Sequence, residues 1–406
     1  MRPLHLVAVV AAAVVLGVVA TLLLHGPAES PSTREAGSGG RSSRTPSPTP
    51  TPSPTPSPTP RPSPSAPALP PVTPVTVGQL FVTGTPATGL DPATRVAVAE
   101  HHVGGVMLRE RSSAGVRATA ALTRELQGLA TRQATGGRPL LVATDQEGGQ
   151  VQVLSGPGFD EMPSALEQGS APAGRLERDA RRWGGQLRAA GIHLNLGPVL
   201  DTVPSPEAAP GNGPIGAFDR QFGYDPERVA GHGIAFLRGM ERARVASAVK
   251  HFPGLGRVRG NTDAVTEVHD TATTAHDPFL RPFAAAIRAG APVVMMSSAT
   301  YDRIDPSEPA CWSREVVTGL LRQRLGFDGV VVSDDLSEAA AAQVRPPAQR
   351  AVDFLRAGGD LVLALDPGHM AEMTDAVLAE ARRDPAFARQ VQQSLVRVQA
   401  LRAAYL

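Results

Sequence analysis

Short and mostly apolar segments recur along the chain, and longer stretches with helical periodicity separate them. One such stretch, residues 175–190, repeats its apolar side chains in steps of four and three, which places them on one face of a helix. The short segments are typical of buried strands, because a strand covered on both faces needs apolar residues throughout. Eight of them are found, at residues 80–82, 105–108, 140–144, 193–196, 245–249, 293–296, 330–332 and 361–363.

Eight buried strands that alternate with helices predict an α/β protein folded as a (β/α)8 TIM-type barrel. A doubly wound open sheet is the alternative, but the first strand is not followed by a Gly-rich dinucleotide fingerprint. In a barrel the chemistry lies at the carboxyl ends of the strands. Ionisable residues do follow three of the predicted strands, namely Asp145, the pair Lys250 and His251, and Asp334. We therefore expect a functional site at this end.

The beginning of the chain has a different composition. Residues 6–24 are apolar and uncharged, and at about 1.5 Å per residue a helix of this length just spans a bilayer core of about 30 Å. We interpret residues 1–28 as an uncleaved membrane anchor, because no clean Ala-x-Ala site follows, with a cleaved signal peptide as the alternative. Residues 29–76, rich in Pro, Ser and Thr, predict a disordered, extended linker. We expect residues 77–406 to form the folded domain. It would lie outside the cell, held at the membrane by the anchor or secreted after signal cleavage.

The cysteine content and the net charge exclude two features, a disulfide within the chain and an electrostatic basis for binding nucleic acid. Cys311 is the single cysteine of the 406 residues, so no intrachain disulfide forms and an exported domain must rely on a large core. The formal net charge is +1, which gives no electrostatic basis for binding nucleic acid.

Lys250 is the only lysine of the chain, since the other 38 of the 39 cationic side chains are arginine. An ammonium is a compact donor, whereas a guanidinium is a wide planar fork, so this exception suggests a crowded site for a small cation. Drift at a solvated position is the plain alternative. A regular strand would direct Lys250 and His251 to opposite faces, but the following Phe-Pro-Gly breaks the regularity, so that both can enter one pocket. A lysine at a strand end can also form a Schiff base, which defines a competing class of lyase.

Asp334 follows the buried segment at residues 330–332. A carboxylate at the end of a buried strand is held rigidly and is partly desolvated, which suits a nucleophile. The alternative is that Asp334 or Asp335 only caps the next helix. Both readings hold together if Asp335 or Ser333 caps the helix and Asp334 faces the pocket.

Several motifs resemble the N-terminal barrel of family-three glycoside hydrolases, most closely its bacterial β-N-acetylglucosaminidase branch. The similarity runs from about residue 78 to the C-terminus, with the motifs in the order of that family. They are Gly-Gln-Leu-Phe at 78–81, Asp-Gln-Glu-Gly-Gly at 145–149, Asn-Leu-Gly-Pro-Val-Leu-Asp at 195–201, Asp-Arg-Gln-Phe-Gly at 219–223, Lys-His-Phe-Pro-Gly-Leu-Gly at 250–256 and Ser-Asp-Asp-Leu at 333–336.

The resemblance implies a retaining β-glycosidase of the β-N-acetylhexosaminidase type that acts on peptidoglycan-type or other β-linked glycans without a metal or cofactor. Asp334 would be the nucleophile that forms a glycosyl-enzyme intermediate. The sugar hydroxyls would be bound by four side chains, namely Asp145, Arg220, Lys250 and His251.

The chain departs from the family pattern at the acid/base. This branch usually carries Asp-Ser-His where residues 261–263 are Asn-Thr-Asp, and its histidine is the acid/base. Asp263 is therefore the candidate acid/base, and a carboxylic acid can donate the same proton if its pKa is raised. His269 is the alternative. If neither side chain serves, the barrel is a catalytically impaired glycan-binding protein. Two further departures are Leu255, where the family usually has histidine, and Gln150, where it usually has arginine.

Overall fold

The computed structural model describes residues 69–406, and eight parallel strands form its central sheet. Each strand overlaps one of the apolar segments predicted above, and almost all of their residues are buried. The strands are β1 (Phe81–Pro86), β2 (Gly105–Arg109), β3 (Leu141–Thr144), β4 (Leu194–Asn195), β5 (Ala246–Phe252), β6 (Val293–Met296), β7 (Val330–Val332) and β8 (Val362–Ala364).

The strands are arranged in the order β7-β6-β5-β4-β3-β2-β1-β8, and every pair is parallel. A bridge between Val332 and Leu361, with a 3.1 Å hydrogen bond from Ser333 N to Leu361 O, joins the two outer strands. The order follows the chain without the reversal that defines a doubly wound sheet. The sheet is therefore a nearly closed barrel, as predicted, and the open-sheet alternative is wrong.

Helices follow the strands and cover the outside of the barrel. The predicted amphipathic stretch is α6, and its apolar face is buried. The helices are α1 (Pro74–Gly78), α2 (Pro92–Glu100), α3 (Gly115–Gln127), α4 (Arg132–Thr135), α5 (Ala165–Ser170), α6 (Ala173–Ala189), α7 (Pro226–Arg242), α8 (Arg281–Arg288), α9 (Pro347–Ala357), α10 (Met370–Arg383) and α11 (Pro385–Tyr405). A π-type helix, Glu315–Arg324, takes this place between β6 and β7, and the short 3-10 helix Ala340–Val344 lies in the loop after β7.

Two small sheets lie in loops that follow the carboxyl ends of the barrel strands. Directly after β3, Gln146–Gly148 pairs with Val151–Gln152 as a hairpin. Between β5 and the π-type helix, a three-stranded sheet contains His269–Thr274, Thr300–Arg303 and Asp305–Pro309. Parts of the loops after β3, β5 and β6 are thus ordered by backbone pairing.

The ordered structure includes residues before 77, the predicted start of the folded domain. Helix α1 starts at Pro74, where Thr73 and Thr76 bond to each other's backbone N–H groups in a capping box. Residues 70–76 are therefore part of the folded barrel unit. The predicted anchor at residues 1–28 and the linker up to residue 68 lie outside the described residues. Within residues 69–406, no helix has the length and apolarity needed to cross a bilayer.

A truncation series tests where the folded domain begins. A chain starting at residue 69 should match the longest soluble form in Tm, because the Pro-rich composition of the preceding segment predicts that it adds no core. A chain starting at residue 80 loses α1 with the fully buried Val77, and should lose at least about 2 kcal/mol of unfolding free energy. Thermal and urea unfolding measure both. A lower Tm for the chain starting at residue 69 would show that the linker packs on the barrel.

Candidate active site

A cavity of about 290 Å³ opens at the carboxyl ends of the barrel strands. Its walls are built from residues at or just after β2, β3, β4, β5, β6, β7 and β8, together with the long loops after β4, β5 and β7. All the side chains predicted from sequence as catalytic or sugar-binding line it, namely Asp145, Arg220, Lys250, His251, Asp263 and Asp334. The alternative acid/base, His269, does not line it.

Lys250 lies at the deep end of the cavity between two carboxylates. Its Nζ is 2.6 Å from Asp145 Oδ1 and 2.7 Å from Glu147 Oε1, and its side chain is 4% exposed. Glu147 in turn accepts two hydrogen bonds from Arg220, at 2.9 Å from Nε and 2.7 Å from Nη2. Two cations, the buried Lys250 and the partly buried Arg220, are therefore matched by two carboxylates. The single lysine therefore occupies a crowded, buried position between two carboxylates and not a solvated one.

The charges of this cluster fix its protonation states. Burial by itself raises the pKa of Glu147, but the charges and hydrogen bonds of Arg220 and Lys250 outweigh it and lower that pKa to about 2. Burial lowers the pKa of Lys250, but the carboxylates of Asp145 and Glu147 reverse the effect, so that the pKa lies above its usual value. Lys250 therefore stays an ammonium. A Schiff base needs the free amine, so the two carboxylate oxygens at 2.6 and 2.7 Å from Nζ, which favour the ammonium, argue against the lyase alternative.

His251 is held by a buried carboxylate. Its Nδ1 lies 2.6 Å from Asp201 Oδ2, and Asp201 also accepts the backbone N–H groups of His251 at 3.2 Å and Leu255 at 2.7 Å. Asp201 is fully buried, so it fixes the ring orientation and places the proton on Nδ1. Nε2 is left as the ring nitrogen available to a ligand.

Both neighbours in β5 reach the cavity because the strand is irregular at this point. The pairing of β5 with β6 shifts register between Val249 and Phe252, a span that contains Lys250 and His251. The expectation that the two side chains enter one pocket is confirmed. The irregularity begins within the dipeptide itself, earlier than the Phe-Pro-Gly to which the sequence pointed.

The two adjacent aspartates after β7 have different surroundings. Asp335 is buried, and its carboxylate accepts the backbone N–H groups of Ser337 at 2.9 Å and Leu365 at 3.0 Å through Oδ1 and that of Glu338 at 2.8 Å through Oδ2. Asp334 accepts a single hydrogen bond from among the described residues, the 3.0 Å bond from Asp335 N. Asp335 therefore holds the loop together, and Asp334 faces the cavity.

Burial raises the pKa of the Asp334 carboxyl to about 6. The charge of Asp263 acts in the same direction, while those of His251 and Lys250 oppose it. At neutral pH Asp334 is ionised but poorly solvated, which is the state that a carboxylate nucleophile requires.

Asp263 and His269, the two candidates for the acid/base, are separated by the fold. Asp263 is exposed at the mouth of the cavity, where its charge acts on Asp334. His269 lies on the three-stranded sheet with its Nδ1 2.7 Å from Asp302 Oδ1. Only Asp263 is placed beside the candidate nucleophile.

Three residues of the site received no role from the sequence. Glu147 links Arg220 to Lys250, and Asp201 orients His251. Both follow predicted strands, so their positions at the carboxyl ends of β3 and β4 were the available signal. Glu338 lines the cavity mouth beside Asp263, and nothing in its sequence surroundings distinguishes it from a helix-capping region.

Lys250→Arg tests whether the site needs a compact cation. The guanidinium is too wide for the gap between Asp145 and Glu147, where Arg220 already occupies both oxygens of Glu147. We expect kcat/KM on a cleaved glycoside to fall by about 10- to 100-fold, since a displacement of about 1 Å can cost that much. Arg178→Lys on the exposed face of α6 is the matched control and should change nothing. Unchanged kinetics for Lys250→Arg would mean that the ammonium has no special role.

Comparison with known proteins agrees with this geometry. The N-terminal domain of glycosyl hydrolase family 3 matches residues 75–401. The chain is 34% identical over 308 residues to a β-hexosaminidase of Stenotrophomonas maltophilia, a match that spans 73% of this chain and 87% of the relative. The protein therefore belongs to glycoside hydrolase family 3, and it is a glycoside hydrolase.

Solved structures show the same relationship. A β-N-acetylhexosaminidase from Beutenbergia cavernae superposes with a TM-score of 0.80 at 53% identity, and the match covers 81% of this chain and 98% of that one. A family 3 β-N-acetylglucosaminidase from Paenibacillus sp. FPU-7 gives a TM-score of 0.74 at 32% identity, covering 82% of this chain and 63% of that one.

Proposed function

We propose that this protein is a retaining β-N-acetylhexosaminidase that removes terminal β-linked N-acetylhexosamine from cell-wall or other extracellular glycans. The observation that carries the proposal is Asp334, a partly buried carboxylate at the end of β7 that faces the cavity with little hydrogen bonding of its own. In a retaining mechanism this carboxylate attacks the anomeric carbon, the glycosidic bond breaks, and a covalent glycosyl-enzyme forms.

Asp263 serves as the acid/base in this proposal. Its proton goes to the leaving oxygen in the first step, and the resulting carboxylate takes a proton from the attacking water in the second. Asp263 lines the same cavity as Asp334, so both carboxyl groups face the space that a bound sugar would occupy.

The deep end of the cavity is suited to sugar hydroxyls. Lys250 has three N–H donors and uses two of them on Asp145 and Glu147. Oδ2 of Asp145 and Nε2 of His251 have no partner among the described residues. One donor from Lys250, an acceptor on Asp145 and the imidazole nitrogen thus belong to three residues that line the same cavity.

A glycan-binding protein without turnover is the second candidate, because Asp263 stands where this branch usually has histidine and its side chain is exposed, whereas proton transfer needs an acid held in hydrogen-bond geometry. For location, we propose export with residues 1–28 as the membrane anchor and residues 29–68 as a spacer, which rests on the apolar run and on the Pro-rich composition.

The test uses the chain from residue 69 with aryl β-N-acetylglucosaminide and aryl β-glucoside, and follows the anomeric configuration of the first-formed sugar by proton NMR. The proposal expects cleavage of the first substrate in preference to the second, with the β-anomer appearing first. First appearance of the α-anomer contradicts the retaining mechanism. Saturable binding of N-acetylglucosamine without any cleavage supports the glycan-binding alternative.

A further inference from the structure

The loop after β4 and the loop after β5 are joined by one buried side chain, that of Asn212. It lies in the loop after β4 and is 3% exposed. Its Nδ2 donates to Leu255 O at 2.8 Å and to Val258 O at 2.7 Å, both in the loop after β5. Its Oδ1 accepts from Ile215 N at 3.2 Å and Gly216 N at 2.7 Å, both in its own loop. All the hydrogen-bonding capacity of the amide is therefore used.

Backbone bonds continue this connection toward Asp263. Gly213 N, next to Asn212, donates to Arg259 O at 3.1 Å. On the opposite side of the loop, Ala340 N donates to Asp263 O at 3.2 Å and Ala341 N donates to Thr262 O at 3.0 Å. Residues 255–263 are thus fastened to the loop after β4 on one side and to the 3-10 helix Ala340–Val344 on the other.

We infer that Asn212 is a positioning residue that holds Asp263 at the leaving-group side of the cavity before any substrate binds. The inference rests on the proposed role of Asp263 as the acid/base. Proton transfer to the leaving oxygen needs hydrogen-bond geometry, and the exposed side chain of Asp263 obtains none from bonds of its own to the described residues. Its position is therefore set by the backbone of residues 255–263, which Asn212 fixes from within the protein.

The two ends of the amide allow a selective experiment. Asn212→Asp keeps the oxygen that accepts from Ile215 and Gly216, so the turn within its own loop is retained. It replaces the nitrogen with an oxygen that faces two carbonyl groups, which repels the loop that carries Asp263. The substitution therefore removes the bonds that hold the Asp263 loop and keeps those that shape the loop of Asn212 itself.

We expect Asn212→Asp to lower kcat/KM by about 100-fold on unactivated disaccharides, the scale of a misplaced catalytic group. The loss on dinitrophenyl glycosides should be at least tenfold smaller, since their leaving groups hardly need a proton. A plot of log(kcat/KM) against leaving-group pKa therefore becomes steeper than for the native protein. Asp263→Asn, measured on the same series, gives the slope for complete loss of the acid.

Gln127→Glu is the matched control. Gln127 is a partly buried amide that bonds to both backbone groups of Leu140 at 2.8 Å, away from the cavity. The change from amide to carboxylate is the same, but no loop of the site is involved. We expect it to lower Tm without altering the dependence on leaving-group pKa.

The outcomes are distinct. The positioning role is overturned if Asp263→Asn gives a steep slope while Asn212→Asp keeps the native slope. An equal loss on all substrates for Asn212→Asp has the same meaning. In both cases the proposed function stays intact. A native slope for Asp263→Asn overturns Asp263 as the acid/base, and the inference with it. If Asn212→Asp fails to fold, hydrogen exchange of the native protein decides: the amides of Gly213, Ala340 and Ala341 should be protected without ligand, and exchange at the rate of an open chain contradicts the inference.

Discussion

Asp334→Asn is expected to lower kcat by at least about 1,000-fold while the protein remains folded. An amide of the same shape cannot form the ester of the glycosyl-enzyme, so the covalent route is lost as a whole. The measurement is turnover of an activated aryl β-N-acetylglucosaminide, whose first step needs little help from an acid. Activity within about tenfold of the native protein would remove Asp334 from the nucleophile position.

The same substitution should not destabilise the protein at neutral pH. Burial raises the pKa of Asp334 to about 6, so the fold favours the protonated carboxyl. The stabilisation by this group is present below about pH 4 and is lost as the pH rises through about 6. At pH 7 the ionised carboxylate is unfavourable in the fold, and the neutral amide should gain about 1–3 kcal/mol. Asp335→Asn is the contrasting control, because it places an amide nitrogen against backbone N–H donors and should cost about 1–3 kcal/mol.

The pH dependence of activity follows from the same carboxyl. Asp334 must be ionised to attack, so kcat/KM should fall about tenfold per pH unit below an apparent pKa near 6 in the free enzyme. A profile that stays flat down to pH 4.5 would contradict the raised pKa.

Asp263→Ala should lower kcat/KM by about 100- to 10,000-fold on substrates with poor leaving groups, and far less on activated aryl glycosides. The physical reason is that a good leaving group departs without a proton, whereas the alkoxide of a sugar does not. Azide should then replace water in the second step, where no base is needed, and yield a β-glycosyl azide.

His269→Ala, measured in parallel, should leave both substrate types unchanged, because His269 is bonded to Asp302 outside the cavity. If Asp263→Ala reduces both substrate types equally and azide has no effect, Asp263 is not the acid/base. The glycan-binding candidate becomes the better one if neither variant discriminates by leaving group and native turnover is absent.

The barrel and the inner part of the site were predictable from sequence because both depend on local patterns. Each apolar segment is a strand that must be buried on both faces, and position at a strand end places Asp145 and Asp334 in the cavity. The lone Lys250 among arginines identified the crowded cluster, because the compact shape of an ammonium is a property of the residue itself.

The contacts between loops were not predictable in the same way. The connection from Asn212 to Leu255 and Val258 joins residues 43 and 46 positions apart, and no periodicity relates them. The partners of Lys250 show the same limit, since the strand-end rule pointed to Asp145 but assigned neither its contact with Lys250 nor that of Glu147. Distances between loops depend on how long connections pack, which a strand or helix pattern does not contain.

The pairing of Lys250 and Arg220 with Asp145 and Glu147 has a consequence for how this pocket distinguishes molecules. Its deep end carries two positive and two negative charges in close contact, so these four side chains together add little net field at the sugar. Affinity for the terminal sugar should therefore change little between low salt and 1 M salt, where attraction between exposed charges would be screened. The pocket then distinguishes one sugar from another by the direction of each hydroxyl, axial or equatorial, because hydrogen bonds depend on direction.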